Sequence, residues 1–530
     1  MKKKDNHMKV QLTKFQIMDT TLRDGEQTSG VAFTASEKLA LAKVLLEEVK
    51  VDRIEIASAR VSDGEKLAAE QIVTWAKSKG KTKSVEILGF VDKGASIDWI
   101  KQVGGEVLNL LGKGSLKHVS GQLKKSPDEH LSDLKDEINL AVDQGLIVNV
   151  YLEDWSNGMI DSKDYVHFLL KGLQGLPIKR MMLPDTLGIL TPEQSYEFCK
   201  EMIDQYPGYH FDFHAHNDYD LAIANVMAAV RAGVTAVHTT VNGLGERAGN
   251  TVLSSVVAAL KDHLGATSNV AEHKLYKISK LVESFSGQRI PSNKPLIGDN
   301  VFTQTCGVHA DGDSKDQLYF NELMPERFGR TRKYALGKTS GKANIKKNLA
   351  ELGIELQDAA LKKVTQRVIE LGDKKEMVTL EDLPYIVADV LEWETIQERV
   401  LVSNYNLSHA KGLKPVASVA VSIDGELYEA NASGDGQYDA FMNALKVIYD
   451  ELTINLPALI DYSVSIPPGG RTDALVETTI TWQNGKEFKT RGIDTDQTFA
   501  AIKATEKMLN LVQMVPSNKE TNNKTDKILV

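Results

Sequence analysis

Cysteine and long apolar runs are both scarce in this sequence. Its 530 residues include only two cysteines, Cys199 and Cys306, so disulfide bonds are not part of the design. No apolar run approaches the ~20 residues that a membrane-spanning helix needs. The basic N-terminal segment lacks the apolar core of a signal peptide. We therefore expect a cytoplasmic protein whose cysteines stay reduced and which has no membrane partner.

An excess of positive charge is also missing. The chain has 63 Lys and Arg residues against 72 Asp and Glu residues, which gives a formal net charge of −9. This balance disfavours nucleic acid as a partner and leaves room for local basic pockets that bind a small anionic substrate. The length predicts two or three domains.

Eight short β-rich segments recur between residues 15 and 263. Segments with apolar residues at helical spacing separate them, and Thr34 or Ser36 and Thr191-Pro192 are candidate helix starts. Eight such units in about 250 residues predict an α/β fold of the (β/α)8 (TIM) barrel type, which we place at 13–285. A doubly wound sheet is the alternative, but no glycine-rich dinucleotide motif follows the first strand.

Two further regions follow the predicted barrel. Residues 286–400 alternate loop-like and helical stretches, which indicates helical accessory subdomains. A polar link leads into residues 413–512, which contain an internal repeat of strands, a glycine-rich turn and a helix. This repeat predicts an α+β module for binding or dimerisation with approximate internal symmetry. The matched positions of the repeat are Gly434 with Gly492 and Phe441 with Phe499.

Polar residues at the carboxyl ends of the predicted barrel strands are the candidates for an active site. His214 and His216 end the seventh strand, and their spacing of two places both side chains on one face. A metal ion could bind both imidazoles together with the carboxylate of Asp24 and the amide oxygen of Asn250. This set of oxygen and nitrogen ligands predicts Mn²⁺, Mg²⁺, Co²⁺ or Zn²⁺.

Structural explanations compete with these functional ones. A single strand histidine more often packs in a core than binds a metal. Asp185 and Asp218 could cap the helices that follow them. Arg247 could pair with Glu246 or Asp24 to satisfy a polar rim. The two histidines on one face are harder to explain in this way.

A metal in this site would chelate a 2-oxo acid through its carbonyl and carboxylate oxygens, and Arg23 would stabilise the charge that develops on the carbonyl oxygen. Two other chemistries are less favoured. Lys113 could form a Schiff base, but its Gly-Lys-Gly setting is typical of a loop. Cys306 and His309 could form a nucleophile pair, but no motif for an oxyanion hole accompanies them.

Three long motifs, DTTLRDGEQTSG, HAHNDYDLAIANVMAAVRAG and VNGLGERAGNT, carry a family resemblance. The chain resembles the 2-isopropylmalate, homocitrate and citramalate synthase branch of the DRE-TIM metallolyases over nearly its whole length. The resemblance implies a Claisen-type condensation of acetyl-CoA with a 2-oxo acid. It also implies a C-terminal regulatory domain that binds the end product of the pathway, which is isoleucine for a citramalate route and leucine for an isopropylmalate route. The sequence does not separate these two ligands, and isoleucine is favoured over leucine.

The resemblance assigns roles to matching positions. Arg23 would stabilise the oxyanion, Thr186 would bind the substrate carboxylate, and Glu153 would assist enolisation of acetyl-CoA or hold its thioester. His309 and Tyr319 match a pair that a partner subunit contributes, so a homodimer or a larger oligomer is implied. The implied metal ligands are Asp24, His214, His216 and Asn250.

Leu88, Leu111 and Tyr151 match the positions that receive the side chain of the 2-oxo acid. Three bulky groups there leave room for a methyl group, and an isopropyl group would overfill the pocket at a cost of about 1–3 kcal/mol. We therefore predict pyruvate as the substrate and (R)-citramalate as the product, with 2-isopropylmalate synthesis from 2-oxoisovalerate as the alternative. A homocitrate synthase should present a basic or polar group there.

Two other kinds of protein are also compatible with the barrel. One is a 3-hydroxy-3-methylglutaryl-CoA lyase, which usually lacks the C-terminal repeat. The other is an amino-acid sensor with an inactive barrel, which the complete set of polar residues argues against.

Overall fold

The structure, a computed structural model, describes residues 14–314, 318, 320–352, 354–373, 378–391, 399–465 and 476–514. Its contacts divide the chain into two compact units. The first unit holds the described residues up to 302 together with 320–332, and the second holds the remainder. The predicted domain limits, 13–285, 286–400 and 413–512, stay predictions. None of the helices in the described residues is long and apolar enough to span a bilayer.

Eight parallel strands of the first unit close into a barrel in chain order, which confirms the predicted (β/α)8 architecture. Strand β1 closes the barrel by pairing with β8, where Gln16 lies opposite Ala236. The strands are β1 (Gln16–Asp19), β2 (Arg53–Ser58), β3 (Val85–Phe90), β4 (Val107–Lys113), β5 (Ile147–Glu153), β6 (Ile178–Asp185), β7 (Phe211–Ala215) and β8 (Ala236–Thr239).

Helices surround this barrel, and five of them begin at a side-chain cap. The Thr34 and Thr191 hydroxyls accept hydrogen bonds from the backbone N–H groups of Glu37 and Gln194 in reciprocal capping boxes, as predicted. The helices are α1 (Ala35–Lys43), α2 (Asp63–Ser78), α3 (Ala95–Gln102), α4 (Leu116–His118), α5 (Pro127–Asp143), α6 (Trp155–Asp161), α7 (Lys163–Leu173), α8 (Pro192–Gln205), α9 (Ala222–Ala232), α10 (Leu253–Leu264) and α11 (Leu275–Ser286). Helices α1 and α4 continue into π-helical turns, Val44–Val49 and Val119–Leu123.

The second unit begins with a small helical region. Strands β9 (Thr303–Gln304) and β10 (Lys333–Tyr334) form a two-stranded parallel sheet. Buried residues such as Ile345, Val364 and Leu383 form the apolar cluster of the helices. These helices are α12 (Gly307–Ser314), α13 (Lys342–Glu351), α14 (Asp358–Asp373) and α15 (Leu383–Leu391).

Two three-stranded antiparallel sheets, each followed by a helix, complete the second unit and confirm an α+β region with an internal repeat. The first repeat contains β11 (Val400–Ser408), β12 (Val416–Ile423), β13 (Glu426–Ser433) and α16 (Gln437–Glu451). The second repeat contains β14 (Ala458–Ser465), β15 (Val476–Asn484), β16 (Lys486–Asp494) and α17 (Gln497–Met514).

The register of the repeat differs from the one predicted by matching Phe441 with Phe499. Phe441 is fully buried, whereas Phe499 is 40% exposed. When the starts of α16 and α17 are aligned, Phe441 corresponds to Ala501, which is also fully buried. Burial against the sheet therefore defines equivalent positions, and the two phenylalanines are not equivalent.

The predicted polar link is also shorter than expected. Strand β11 continues to Ser408, where it pairs with Val416 of β12. Val402, Tyr405 and Leu407 pack against the apolar core from this strand. These apolar side chains, spaced among polar ones, make the first half of the link an amphipathic strand.

Candidate metal centre and substrate cleft

A cleft of about 220 Å³ opens among the carboxyl ends of the barrel strands. This location is the catalytic face of a (β/α)8 barrel. The cleft brings together nine of the predicted site residues, which come from six of the barrel strands or the loops that follow them. These residues are Arg23, Asp24, Leu88, Leu111, Tyr151, Glu153, Thr186, His214 and His216.

Asp24, His214 and His216 form a buried cluster of potential metal ligands. The Asp24 Oδ2 atom lies 3.3 Å from Nε2 of His214 and 3.9 Å from Nε2 of His216. One ligand atom from each residue lies within 4.8 Å of the other two. Strand β7 supplies His214, His216 follows the end of that strand directly, and the loop after β1 supplies the carboxylate. This geometry matches the predicted first three ligands.

Asn250 completes the predicted set. It forms an isolated β-bridge with His216, and its Nδ2 donates to the Leu244 carbonyl oxygen at 3.2 Å. Its Oδ1 is buried and accepts no hydrogen bond from the described residues. Gly245 allows this placement, because a Cβ atom there would lie 2.2 Å from Asn250 Nδ2. The orphaned oxygen and the donor set together fit a divalent cation with mixed oxygen and nitrogen ligands.

The charges of the cluster suit cation binding. Burial alone would raise the pKa of Asp24, but the Arg23 guanidinium and the hydrogen bond with His214 hold it well below its usual range. Burial, reinforced by the charge of His214, lowers the pKa of His216 to about 4. Near neutral pH the site therefore offers an ionised carboxylate and a neutral imidazole, the forms that bind metals.

Arg23 lies at the wall of the cleft in a fixed orientation. Its Nε and Nη2 atoms contact Glu55 Oε2 at 2.6 and 2.5 Å, and its Nη1 lies 3.2 Å from Asp24 Oδ2. Glu55 is itself held by hydrogen bonds from Thr20 and Asn109, both at 2.8 Å. A cation held by a buried carboxylate is positioned to stabilise negative charge without reorganisation.

An apolar side pocket adjoins these polar groups. Leu88 and Tyr151 are buried in one small cluster, and Leu111 packs against it. The Tyr151 hydroxyl lies 3.1 Å from Nδ1 of His238 and 3.5 Å from Nη2 of Arg23, so its polar end has partners within the site. The three residues predicted to receive the substrate side chain thus lie together and line the cleft.

The loops after β6, β7 and β8 are tied together through Arg247. Its guanidinium donates to both oxygens of Asp218, at 2.7 and 3.0 Å, and to the carbonyl oxygen of Thr186 at 2.7 Å. Of the two partners expected from the sequence, the structure shows Glu246, at 3.4 Å. Asp218 therefore braces this loop and does not cap α9.

Asp185 is likewise not a helix cap, because Thr191 caps α8. Its buried carboxylate accepts hydrogen bonds from the backbone N–H groups of Ile189 and Leu190, at 3.0 and 3.1 Å. These bonds shape the loop that carries Thr186. Asp185 therefore has a structural role, as the sequence suggested, but it stabilises the loop and does not cap the helix.

Lys113 does not lie in a loop, contrary to the interpretation of its Gly-Lys-Gly setting. It is the last residue of β4, is 7% exposed, and its ammonium group contacts the Glu153 carboxylate. The flanking glycines serve close packing between strands instead of a turn. Its amine is thus paired with a carboxylate, and Lys113 is not among the residues that line the cleft, so the structure does not support it as a Schiff-base nucleophile.

The residues predicted to act across subunits follow the barrel in the sequence. His309 lies exposed on α12 in the second unit, and Tyr319 falls outside the described residues. Cys306 precedes α12 and is half-buried. The roles of His309 and Tyr319 stay predictions.

Charged side chains inside the barrel were missed by the sequence interpretation. Arg53 pairs with Glu86 at 2.9 Å and with Asp212, which lies 3.2 Å from Nε2 of His238. Glu55 belongs to the same interior. The available signal was the alternation in DRIEIAS and HFDFHAH, where charged residues occupy the strand face that normally carries branched aliphatic residues.

Three family models match consecutive parts of this chain. The model of the HMGL-like family matches residues 14–282, that of the homocitrate synthase post-HMGL domain matches 296–376, and that of the LeuA allosteric (dimerisation) domain matches 377–513. Among solved structures, the HMG-CoA lyase of Bacillus subtilis covers 53% of this chain and 96% of its own, at 22% identity and a TM-score of 0.43.

Relatives with full-length similarity carry two kinds of name. A protein named (R)-citramalate synthase CimA from Methanocaldococcus jannaschii is 34% identical over 94% of this chain and 99% of its own. A putative (R)-citramalate synthase CimA from Methanopyrus kandleri is 34% identical over 88% and 89%. A probable 2-isopropylmalate synthase from Methanopyrus kandleri is 36% identical over 92% and 96%. This chain therefore belongs to the HMGL-like family, in the branch with a post-HMGL domain and a LeuA allosteric domain.

Proposed function

We propose that this protein is an acyltransferase that condenses acetyl-CoA with pyruvate and releases (R)-citramalate and CoA. The observation that carries the proposal is the cleft itself, in which potential metal ligands and Arg23 adjoin a side pocket narrowed by Leu88, Leu111 and Tyr151. The names of the relatives support the reaction class, and the narrow pocket favours the smallest 2-oxo acid.

The metal ligands and Arg23 have different roles in the proposed reaction. A divalent cation held by Asp24, His214, His216 and Asn250 would act as a Lewis acid on the 2-oxo carbonyl. Arg23 would stabilise the oxyanion that forms when the new carbon–carbon bond is made.

The remaining groups act on the two substrates. Thr186 would bind the pyruvate carboxylate through its hydroxyl, which accepts from the Asp154 N–H at 2.9 Å and keeps its proton free to donate. Glu153 would accept a proton from the acetyl methyl group, whose C–H electron pair then attacks the pyruvate carbonyl carbon. Water would afterwards cleave the thioester and release CoA.

A second candidate is 2-isopropylmalate synthesis, since a relative with that name is equally similar to this chain. Its substrate, 2-oxoisovalerate, carries an isopropyl group in place of the methyl group of pyruvate. In a pocket with three bulky walls, the larger group must displace buried side chains, at a cost of about 1–3 kcal/mol. The pocket therefore supports pyruvate, with discrimination of roughly tenfold to a few hundredfold.

The C-terminal repeat would provide regulation. We propose that it binds isoleucine, the end product expected of a citramalate route, and joins two chains so that His309 and Tyr319 of one chain act in the site of the other. The reaction would take place in the cytoplasm as a step of branched-chain amino-acid biosynthesis.

An assay of CoA release tests the proposal. Purified protein is supplied with Mn²⁺, acetyl-CoA and either pyruvate, 2-oxobutanoate or 2-oxoisovalerate, with and without isoleucine or leucine. We expect the highest kcat/KM with pyruvate and inhibition by isoleucine. A preference for 2-oxoisovalerate would overturn the substrate assignment. If none of the three acids supported CoA release, the proposed reaction class would be overturned.

A further inference from the structure

The ammonium group of Lys113 is buried directly behind the cleft. Lys113 ends β4 and lies opposite Glu153 at the end of β5 in the parallel register, so both side chains leave the sheet on the same side. Its Nζ contacts Glu153 Oε2, and Glu153 lines the cleft. We propose that Lys113 is a positioning residue that holds the Glu153 carboxylate in one orientation toward the acetyl group, an inference that rests on the proposed function.

The backbone of Lys113 is anchored from both sides. Its N–H donates to Nε2 of His130 at 3.3 Å, and its carbonyl oxygen accepts from the Tyr165 hydroxyl at 3.0 Å. Nδ1 of His130 lies 2.7 Å from the same hydroxyl, which closes a buried ring of hydrogen bonds. Helices α5 and α7 thus fix the point from which the lysine side chain extends.

Glycines on both sides of Lys113 bring β4 close to its neighbours. A Cβ atom at Gly114 would lie 2.4 Å from the Leu152 carbonyl oxygen, and one at Gly112 would lie 3.3 Å from that of Tyr151. A third glycine, Gly158 on α6, allows the Gly114 carbonyl oxygen to approach, because a Cβ there would lie 2.0 Å from it. Close packing therefore places the lysine against β5, within reach of Glu153.

Stability alone gives little reason for a lysine at this position. Removing an ammonium group from water costs free energy that a single ion pair barely recovers, and apolar residues of similar volume often replace buried pairs without loss. Methionine would fill the same space and satisfy the same packing. An effect of the Lys113 ammonium group on Glu153 explains why this position carries a positive charge.

Glu153 needs such support because its side chain has three rotatable bonds. A general base must lie within about 2.6–3.2 Å of the proton that it removes, and small displacements slow a reaction strongly. Among the described residues, Lys113 is the side chain that the structure shows bonded to the Glu153 carboxylate. Without it, the carboxylate can rotate away from the acetyl methyl group while pyruvate still binds at Thr186.

Steady-state kinetics of Lys113→Met, Lys113→Arg, Glu153→Gln and the double variant Lys113→Met/Glu153→Gln test the proposal. We expect Lys113→Met to lower kcat by roughly 10- to 100-fold with the KM for pyruvate nearly unchanged, and Lys113→Arg to restore part of kcat. The double variant should match Glu153→Gln alone, because Lys113 acts only through Glu153. In Lys113→Met, the exchange of the acetyl methyl protons of acetyl-CoA with D₂O should slow by a factor similar to the loss in kcat.

Lys81→Met is the matched control. Lys81 is a half-buried lysine whose ammonium donates to the Leu46 carbonyl oxygen at 3.3 Å and does not line the cleft, so kcat should be unchanged. Multiplicative losses in the double variant, or wild-type kcat in Lys113→Met, would overturn the proposal. If Lys113→Met does not fold, the proposal is overturned by a change in the KM for pyruvate in Lys113→Arg. Failure of the wild-type protein to release CoA with pyruvate would instead overturn the proposed function.

Discussion

The Asp24 carboxylate lies 3.3 Å from Nε2 of His214, although one residue follows the first barrel strand and the other ends the seventh. Closure of the barrel between β1 and β8 makes this approach possible, because it brings the loop after β1 to the same rim as β7. The short distance between two potential ligands, together with His216, is the basis of the first prediction.

His214→Ala should abolish tight binding of a divalent cation. Loss of one of the four proposed ligands should weaken Mn²⁺ affinity by about 100-fold or more, and CoA release should fall accordingly. Isothermal titration with Mn²⁺ measures the affinity independently of activity. His167→Ala is the control, because His167 is a half-buried histidine of α7 that contacts Tyr206 and Glu201 and should leave Mn²⁺ binding unchanged. Unaltered Mn²⁺ affinity in His214→Ala would contradict the metal assignment.

Leu88→Ala and Leu111→Ala should widen the side pocket and shift selectivity toward longer 2-oxo acids. We expect the ratio of kcat/KM for 2-oxobutanoate over pyruvate to rise by roughly 10- to 200-fold, the value of one methylene group in an apolar pocket. Leu173→Ala, in the core at the end of α7, should destabilise the protein by about 2–5 kcal/mol without changing this ratio. An unchanged ratio in both pocket variants would exclude these leucines from substrate discrimination.

Removal of Asp212 should strongly destabilise the barrel. The side chain pairs with buried Arg53, and Asp212→Ala leaves that guanidinium with a single carboxylate partner, Glu86. Breaking a buried pair from one side costs about 3–5 kcal/mol. Glu48→Ala, which removes the exposed pair with Lys277, should cost less than about 1 kcal/mol. Urea unfolding followed by circular dichroism compares the two, and equal losses would show that burial of the pair has no energetic consequence.

His130 should make stability depend on pH. Burial lowers its pKa to about 4, against 6.5 in the unfolded chain. Between these values the unfolded chain binds more protons than the folded one, so this contribution is fully present above pH 6.5 and is lost as the pH falls toward 4. The free energy of unfolding should fall by about 2 kcal/mol between pH 7 and pH 5 on account of this residue. His130→Gln should have a smaller fall over this range, and an identical pH dependence would contradict the prediction.

His309 and Asp24 should complement each other across subunits. If His309 acts in the partner's site, His309→Ala and Asp24→Asn homodimers are both inactive, whereas each mixed dimer has one intact site. Unfolding and refolding an equal mixture should recover about a quarter of wild-type activity, since half of the dimers are mixed. Mixed dimers can be isolated with two affinity tags. A tagged mixed dimer without activity would place His309 in the site of its own chain.

The sequence was sufficient for the barrel and for most of the cleft. Eight alternating units and the HAHND segment are local patterns, and the carboxyl ends of parallel strands meet at one rim whatever their neighbours. Arg23, Asp24, Thr186 and the two histidines could therefore be assigned to one site. Spacing of two on a strand, which fixes the common face of His214 and His216, needs no tertiary information.

Tertiary structure alone decided the partners of the charged residues. Lys113 was assigned to a loop because Gly-Lys-Gly is a turn-like pattern, but close packing of β4 on β5 requires those glycines and sets the lysine against Glu153. The pairing of Arg23 with Glu55 joins the loop after β1 to the neighbouring strand β2, and that of Arg53 with Asp212 joins β2 to β7 inside the closed barrel. The local chain determines where a side chain leaves its strand, whereas the strand packed beside it determines which charge it meets.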